Sequence, residues 1–367
     1  MNNRKILFVI TSLGFGGAES QLLGIIPALA DRGYDISLLT IKTDLGLISR
    51  LDKRVNYFDL AVKGAKSIPG ALRKLNAIIK EVKPDIVHTH LFHANLLGRF
   101  IKMRHPGIRV INTTHSNYDS HARTISPYLC YRLTSKWVDY HSAVSVPALR
   151  ALQSKSGIQK EKSGVIYNAI DVDSFINTGV RVDPPVFKWV AIGRLIEVKD
   201  YRNLFDAMQL LLPSGVAFSL DIAGDGELKN ELKAQVELAG LNRHVRFMGL
   251  VKNIAQVLPD YDGYVISSRS EGMPMALLEA MSAGLPVTGT DVGGIRSIVE
   301  GADGGIVIPP RDPVALSNAM MQMMKMNPLM RQRLGERNAV YVRNNFAKAR
   351  ILDFWENIYE NKMAVTA

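Results

Sequence analysis

The chain has a single cysteine, Cys130, in 367 residues, which excludes an internal disulfide and any cysteine-rich zinc site. Long apolar runs are also missing. ILFVI follows Arg4 and Lys5, but Thr11, Ser12 and a glycine turn cut it too short for a secretory or membrane segment. A buried first strand and a cytoplasmic protein are the expectation. No acidic residue ends the second predicted strand, YDISLLTI, so a nicotinamide dinucleotide would lack its ribose ligand. Aromatics are not arrayed along a strand as single-strand binders need, and no helix-turn-helix or zinc pattern appears, which disfavours a nucleic-acid partner. His88, His90 and His93 have no nearby cysteine or carboxylate to complete a metal set, so no metal site is expected.

A basic excess is missing from the second half. Residues 1–180 hold 24 Lys and Arg against 13 Asp and Glu, or +11, whereas residues 181–367 hold 21 of each. That division points to an anionic partner for the first half: nucleic acid, a phosphorylated acceptor or an anionic membrane surface. Lys63, Lys66, Arg73, Lys74, Lys80 and Lys83 flank a helix whose Leu72, Leu75, Ile79 and Val82 face inward. Arg123, Arg132 and Lys136 lie among Tyr128, Tyr131 and Trp137, a mixture suited to lipid headgroups, with an ordinary solvated face as the alternative.

What is present is alternation. RKILFVITSL, YDISLLTI, VNYFDL, DIVHTH, RVINTTH, AVSV and GVIY read as strands, with helices over 71–82, 94–102 and about 125–139 among the segments between them. AIDVDSFINTGVRVDPPV loses the pattern and marks a boundary. It restarts with FKWVAIG, a helix at 201–212, VAFSLDIAG, a helix at 228–239, HVRFMG, DGYVISS, LPVTGTD and GGIVIP, and residues 328–362 read as helices. Strands separated by helices mean βαβ units, hence two Rossmann-like parallel-sheet α/β domains, at 1–175 and 176–349. No short repeat is present.

Chemistry concentrates at predicted strand ends. In SSRSEGMPMALLEAMSAGLP, residues 267–286, Glu271 lies in a strand-to-helix loop and Glu279 on the helix that follows Pro274. Both face the crevice where open parallel sheets bind ligands. A carboxylate there accepts hydrogen bonds from ribose or sugar hydroxyls. Arg194 and Lys199, in AIGRLIEVKD, put two cations at another strand end, fit for a pyrophosphate or for a solvated loop pair. GFGGAE, residues 14–19, is a turn whose glycines permit close approach of an anion to backbone N–H groups.

The run EGMPMALLEAM, with these motifs in order, resembles the retaining glycosyltransferases of family four (glycosyl transferases group 1), a likeness spanning essentially the whole chain. The resemblance implies the GT-B architecture, in which two Rossmann-like domains face across a cleft. The first would hold the acceptor, with the C-terminal helix, about 350–367, packing back on it, and the second the nucleotide-sugar donor. It implies an enzyme that moves a sugar, with retention, from a nucleoside-diphosphate donor, a UDP-sugar by expectation, to a hydroxyl of a glycan or lipid-linked glycan. That is the chemistry of cell-surface polysaccharide or glycoconjugate synthesis, expected to need no cofactor or metal; the basic first half adds the expectation of a cytoplasmic enzyme that is peripheral on the inner membrane face.

Matching positions assign His115 to the donor sugar beside the reacting centre, Glu271 to the transferred sugar, and Arg194 and Lys199 to the diphosphate. Gly16, Gly17, Gly224, Asp225, Val251, Gly272, Met273, Pro274, Met275 and Glu279 would complete the donor site. Glu19, His90, His93 and Asn95 would line the acceptor pocket, beside His88. Two departures stand out. Asp200 follows the lysine where the family often has glycine, and Ala169, after Asn168, replaces a usual glycine. A sugar-nucleotide epimerase or hydrolase of the same architecture and a basic nucleic-acid-binding protein are the competing readings.

Overall fold

A computed structural model describes residues 4–14, 16–44, 46–115, 127–175 and 185–362. Its chain forms two compact units, Met1–Ala169 with Lys348–Ala367, and Ile170–Ala347. The changeover precedes the expected 175/176. Ile170 bridges Ala347 in parallel and donates its N–H to the Phe346 carbonyl at 2.9 Å, which ties it to the second unit.

Unit one runs β1 (Lys5–Ile10), α1 (Gly17–Asp31), β2 (Asp35–Thr40), β3 (Asn56–Asp59), α2 (Ile68–Val82), β4 (Ile86–His90), α3 (Phe92–Arg104) and β5 (Arg109–Thr114). It continues through α4 (Pro127–Thr134), β6 (Tyr140–Ala143), α5 (Val146–Ser156) and β7 (Ser163–Val165). The sheet order is β3-β2-β1-β4-β5-β6-β7, with every described pairing parallel. Alternation along β1 feeds two cores: Ile6, Phe8 and Ile10 pack with α1, while Leu7 and Val9 pack with α2 and α3.

Unit two runs β8 (Phe187–Ile192), α6 (Tyr201–Leu211), β9 (Phe218–Ala223), α7 (Lys229–Leu238), β10 (Val245–Gly249), α8 (Ile254–Val257) and β11 (Gly263–Ile266). Then come α9 (Met275–Ser282), β12 (Val287–Thr290), α10 (Ile295–Ala302), β13 (Gly305–Ile308), α11 (Pro313–Lys325) and α12 (Pro328–Phe346). Its order is β10-β9-β8-β11-β12-β13. The last helix, α13 (Lys348–Tyr359), belongs to unit one, where Ile351, Leu352, Trp355, Ile358 and Tyr359 are buried in the core with α1.

The order of each sheet reverses once, between β1 and β4 and between β8 and β11. At such switch points the outgoing loops diverge and leave a crevice at the carboxyl edge. Among the described residues no helix is long and apolar enough to cross a membrane.

Candidate functional site

In unit two the loops after β8 and β11 leave that edge side by side. Lys199 Nζ donates to Glu271 Oε1 at 2.6 Å, with both side chains largely enclosed at 18% and 12% exposure. Ser268, fully buried, donates its hydroxyl to the same oxygen at 2.7 Å. Both contacts fall on Oε1, so Oε2 is the oxygen they leave open. The Thr290 hydroxyl holds the Ser268 carbonyl, and the Ser267 hydroxyl holds the Lys199 carbonyl. Glu279 is half-buried on α9. The buried Tyr264 hydroxyl is held well above its usual range, first by burial and then by the charges of Glu271, Tyr201 and Glu279, so both carboxylates act on one ring. Arg194 is exposed and has no ion pair among the described residues.

Glycines fix these loops by close approach. A Cβ on Gly224 would lie 1.9 Å from the Gly193 carbonyl oxygen, and one on Gly226 would lie 2.5 Å from that of Leu195. With Leu195 donating its N–H to the Asp225 carbonyl at 2.9 Å, the GDG turn braces the Arg194 loop. The Asp225 carboxylate is spent on Lys229 and the Gly226 N–H, both of which hold it ionised below the ordinary range. Gly272, Met273 and Pro274 form the buried entry to α9, with Pro274 as its extended N-cap and Met275 as its first residue. Val251 is half-buried just beyond β10.

Sequence reasoning missed three supports. Gly293, at φ 57°, lies where a Cβ would meet the Glu271 carbonyl at 2.1 Å, and Gly294 donates to the Gly272 carbonyl. The glycine pair in TDVGGI was the available signal. Ser268 carried no signal beyond lying before the glutamate. Arg269 binds Asp200, which takes the left-handed conformation at φ 52° that glycine would adopt freely. Ala169 keeps an ordinary negative φ, so no glycine is needed there.

In unit one the β1–α1 turn carries acid. A Cβ on Gly14 would strike Asp44 and one on Gly16 would strike the Glu19 carboxylate, 2.4 and 2.2 Å away. Gly14 and Gly16 thus each sit beside one carboxylate. Glu19 is half-buried.

Along β4 and just past β5 runs a chain of imidazoles. Tyr359 OH of α13 meets His88 Nδ1 at 2.8 Å, and His88 Nε2 meets Thr113 Oγ1 at 2.8 Å. The His88 and His90 rings are 4.3 Å apart, and His90 Nδ1 meets His115 Nε2 at 2.9 Å. Burial pushes His88 down to about 3 and His115 to about 4, and carries His90 well below its usual value, so all are neutral near pH 7.

Two acceptor expectations change. His90 is 1% exposed and stands behind His115. Asn95 is fully enclosed, its amide donating to Thr113 O and Tyr131 OH and its carbonyl accepting from Thr89. A polar side chain placed on the inner face of α3 satisfies itself there. Only Glu19 and His93 of the four reach the surface.

The aromatic side of the headgroup patch is corrected as well. Tyr128 and Tyr131 are buried, with Arg99 stacked on Tyr131 at 3.9 Å, because α4 turns them onto α3 and α5. Facing out instead are Leu129 and Leu133, 50% and 69% exposed, beside Arg132 and Lys136. Arg123 lies outside the described residues.

Two parallel α/β units, each with its polar loops at a switch point, define the GT-B fold. The chain superposes on Anabaena HepE in complex with UDP at TM-score 0.82, 19% identity and 97% and 100% coverage of the two chains. Against sucrose-phosphate synthase from Thermosynechococcus elongatus the values are 0.84, 18%, 98% and 99%. The family profile "Glycosyl transferases group 1" matches residues 180–340, and "Glycosyltransferase Family 4" matches residues 15–174. A UDP-Gal:alpha-D-GlcNAc-diphosphoundecaprenol alpha-1,3-galactosyltransferase of Escherichia coli is 28% identical over 84% of each chain. N-acetyl-alpha-D-glucosaminyl L-malate synthase of Bacillus anthracis is 23% identical over 95% of this chain and 94% of its own. The protein belongs to the group 1 glycosyltransferases and is a glycosyltransferase.

Proposed function

We propose that this enzyme transfers a hexose from a UDP-sugar, with retention, to a hydroxyl of a glycan or lipid-linked glycan in polysaccharide or glycoconjugate synthesis. The observation that supports it most is the Lys199–Glu271 pair at one switch point, in the same loop as Arg194, which has no ion pair among the described residues. Arg194 and Lys199 bind the diphosphate and stabilise its negative charge as it leaves, the point at which fixed charge contributes most. Built-in cations make a divalent metal unnecessary. Glu271 Oε2 accepts from the transferred sugar and Glu279 from the ribose, and His115 is a hydrogen-bond donor for a sugar hydroxyl. UDP as nucleotide follows the names of the E. coli relative and the HepE complex, and a diphosphoundecaprenol-linked acceptor follows the former.

Unit one also meets an anionic membrane through Leu129, Leu133, Arg132 and Lys136, which brings the enzyme to such an acceptor. Co-sedimentation with anionic vesicles should fall as salt rises and on Leu133→Asp. Equal sedimentation with neutral vesicles overturns this docking.

The main test is a panel of sugar nucleotides scored by thermal stabilisation, then consumption of the best donor with and without a lipid-diphosphate sugar. Acceptor-dependent UDP release, insensitive to EDTA, with an anomeric proton coupling in the product that matches the donor's anomer is expected. Acceptor-independent turnover indicates a hydrolase or epimerase instead.

A further inference from the structure

His90 is read from sequence as part of an acceptor pocket, yet its ring is buried and its one described hydrogen bond goes to His115. Both imidazoles are neutral, so the 2.9 Å contact between two ring nitrogens contains one proton. Two arrangements satisfy it. If His115 donates from Nε2, His90 must accept at Nδ1 and carry its own proton on Nε2. That nitrogen is buried and has no acceptor among the described residues. If His90 donates from Nδ1, its Nε2 is a bare lone pair, and a buried unmet acceptor is tolerated better than a buried unmet N–H.

We propose that His90 is a positioning residue that donates Nδ1–H to His115 Nε2 and thereby fixes His115 as the Nδ1–H tautomer. The remaining proton of His115 is then always a donor, on the nitrogen that His90 does not occupy. A neutral imidazole with a set donor suits a sugar hydroxyl that must be held with its oxygen accepting. His88 supports the arrangement from behind. Its two nitrogens are occupied by Tyr359 OH and Thr113 Oγ1, so it does not compete for the His90 proton. The tautomer assignment stands on the burial and hydrogen-bond geometry of the two rings and needs no donor sugar, while its use in turnover rests on the glycosyltransferase reading above.

Long-range proton–nitrogen correlation NMR of histidine-labelled full-length protein near pH 7 reads the tautomer without any donor sugar. His115 is expected to show a bare Nε2 and a protonated Nδ1, and the reverse pattern overturns the proposal. His90→Asn places an amide N–H near the position of Nδ1 and should keep both the His115 pattern and turnover close to wild type. His90→Phe removes the donor and should lower kcat about tenfold with donor KM little changed, while His115 becomes a mixture of tautomers. Should His90→Phe be too unstable to purify, the wild-type spectrum and His90→Asn decide. Unchanged turnover in His90→Phe, or equal loss in both variants, overturns the positioning role. Loss of transferase activity in the wild type itself, with the expected spectrum, would count against the function instead.

Discussion

Asp200 illustrates how a residue departs from a family pattern and is accommodated. Its left-handed backbone costs a residue with a Cβ about 1 to 2 kcal/mol, and the Arg269 guanidinium 2.7 Å away offsets this by binding the carboxylate. Asp200→Ala keeps the strain and loses the ion pair, whereas Asp200→Gly loses the pair but relieves the strain. We therefore expect Asp200→Ala to be the less stable of the two by about 1 kcal/mol in urea denaturation; equal midpoints would show that the strain is not felt. Ser268→Ala tests a second contact. It removes one of two donors on Glu271 Oε1 without touching the diphosphate cations. Turnover should fall about tenfold, with UDP affinity measured by calorimetry unchanged.

At the scale of elements, the loops after β8 and β11 depend on glycines that neighbouring turns press against. Gly226→Ala puts a Cβ 2.5 Å from the Leu195 carbonyl, which only a backbone shift relieves. Such overpacking costs about 1 to 3 kcal/mol and moves the Arg194 loop. Donor KM should rise at least about tenfold, and an unchanged KM would separate the GDG turn from donor binding. The strands were legible because buried β-branched runs ended by glycine or polar clusters are distinctive. The pattern does not reveal α5, α8, α10 or α11, although α5 and α11 carry capping residues. The α5 helix begins at Ser145, whose hydroxyl accepts the Ala148 N–H, and stops at Gly157, and α11 begins at the Asp312 cap followed by Pro313. Their apolar stripes are short, and α10 has only eight residues, so periodicity over a longer window dilutes them.

At the scale of the whole molecule, α13 completes the first core from the far end of the chain. Trp355 is 3% exposed and packs within 4.5 Å of the His88 ring, so Trp355→Ala should destabilise unit one by about 3 to 5 kcal/mol and leave unit two nearly unaffected. In a Trp137→Phe background, fluorescence of Trp189, which lies in unit two, then reports an unchanged transition.

Acid acts on the same unit. His88 and His141 are pushed down to about 3, and His115 to about 4, by burial, against about 6.5 in an unfolded chain. Between these values the unfolded state binds more protons, so stability falls as pH drops, by about 1.4 kcal/mol per pH unit for each imidazole. The full contribution is present above pH 6.5. We expect a protein retaining only Trp355 to unfold at milder acidity than one retaining only Trp189; coincident transitions would reject the assignment.

The strand-and-helix alternation, the class of fold and the grouping of cations and carboxylates at strand ends were determined by the sequence itself, since hydrophobic period and loop chemistry are local properties. Its charge division was equally plain. Contact between distant loops was decided only by tertiary structure: the Lys199–Glu271 pair and the His90–His115 hydrogen bond join residues that follow or end separate strands. Which face a side chain takes was decided there too. His90, Asn95, Tyr128 and Tyr131 read as surface groups in the sequence, and each is buried because its polar atoms find partners inside or its ring packs against neighbouring helices. Burial of a polar residue depends on partners that only the folded chain brings within reach.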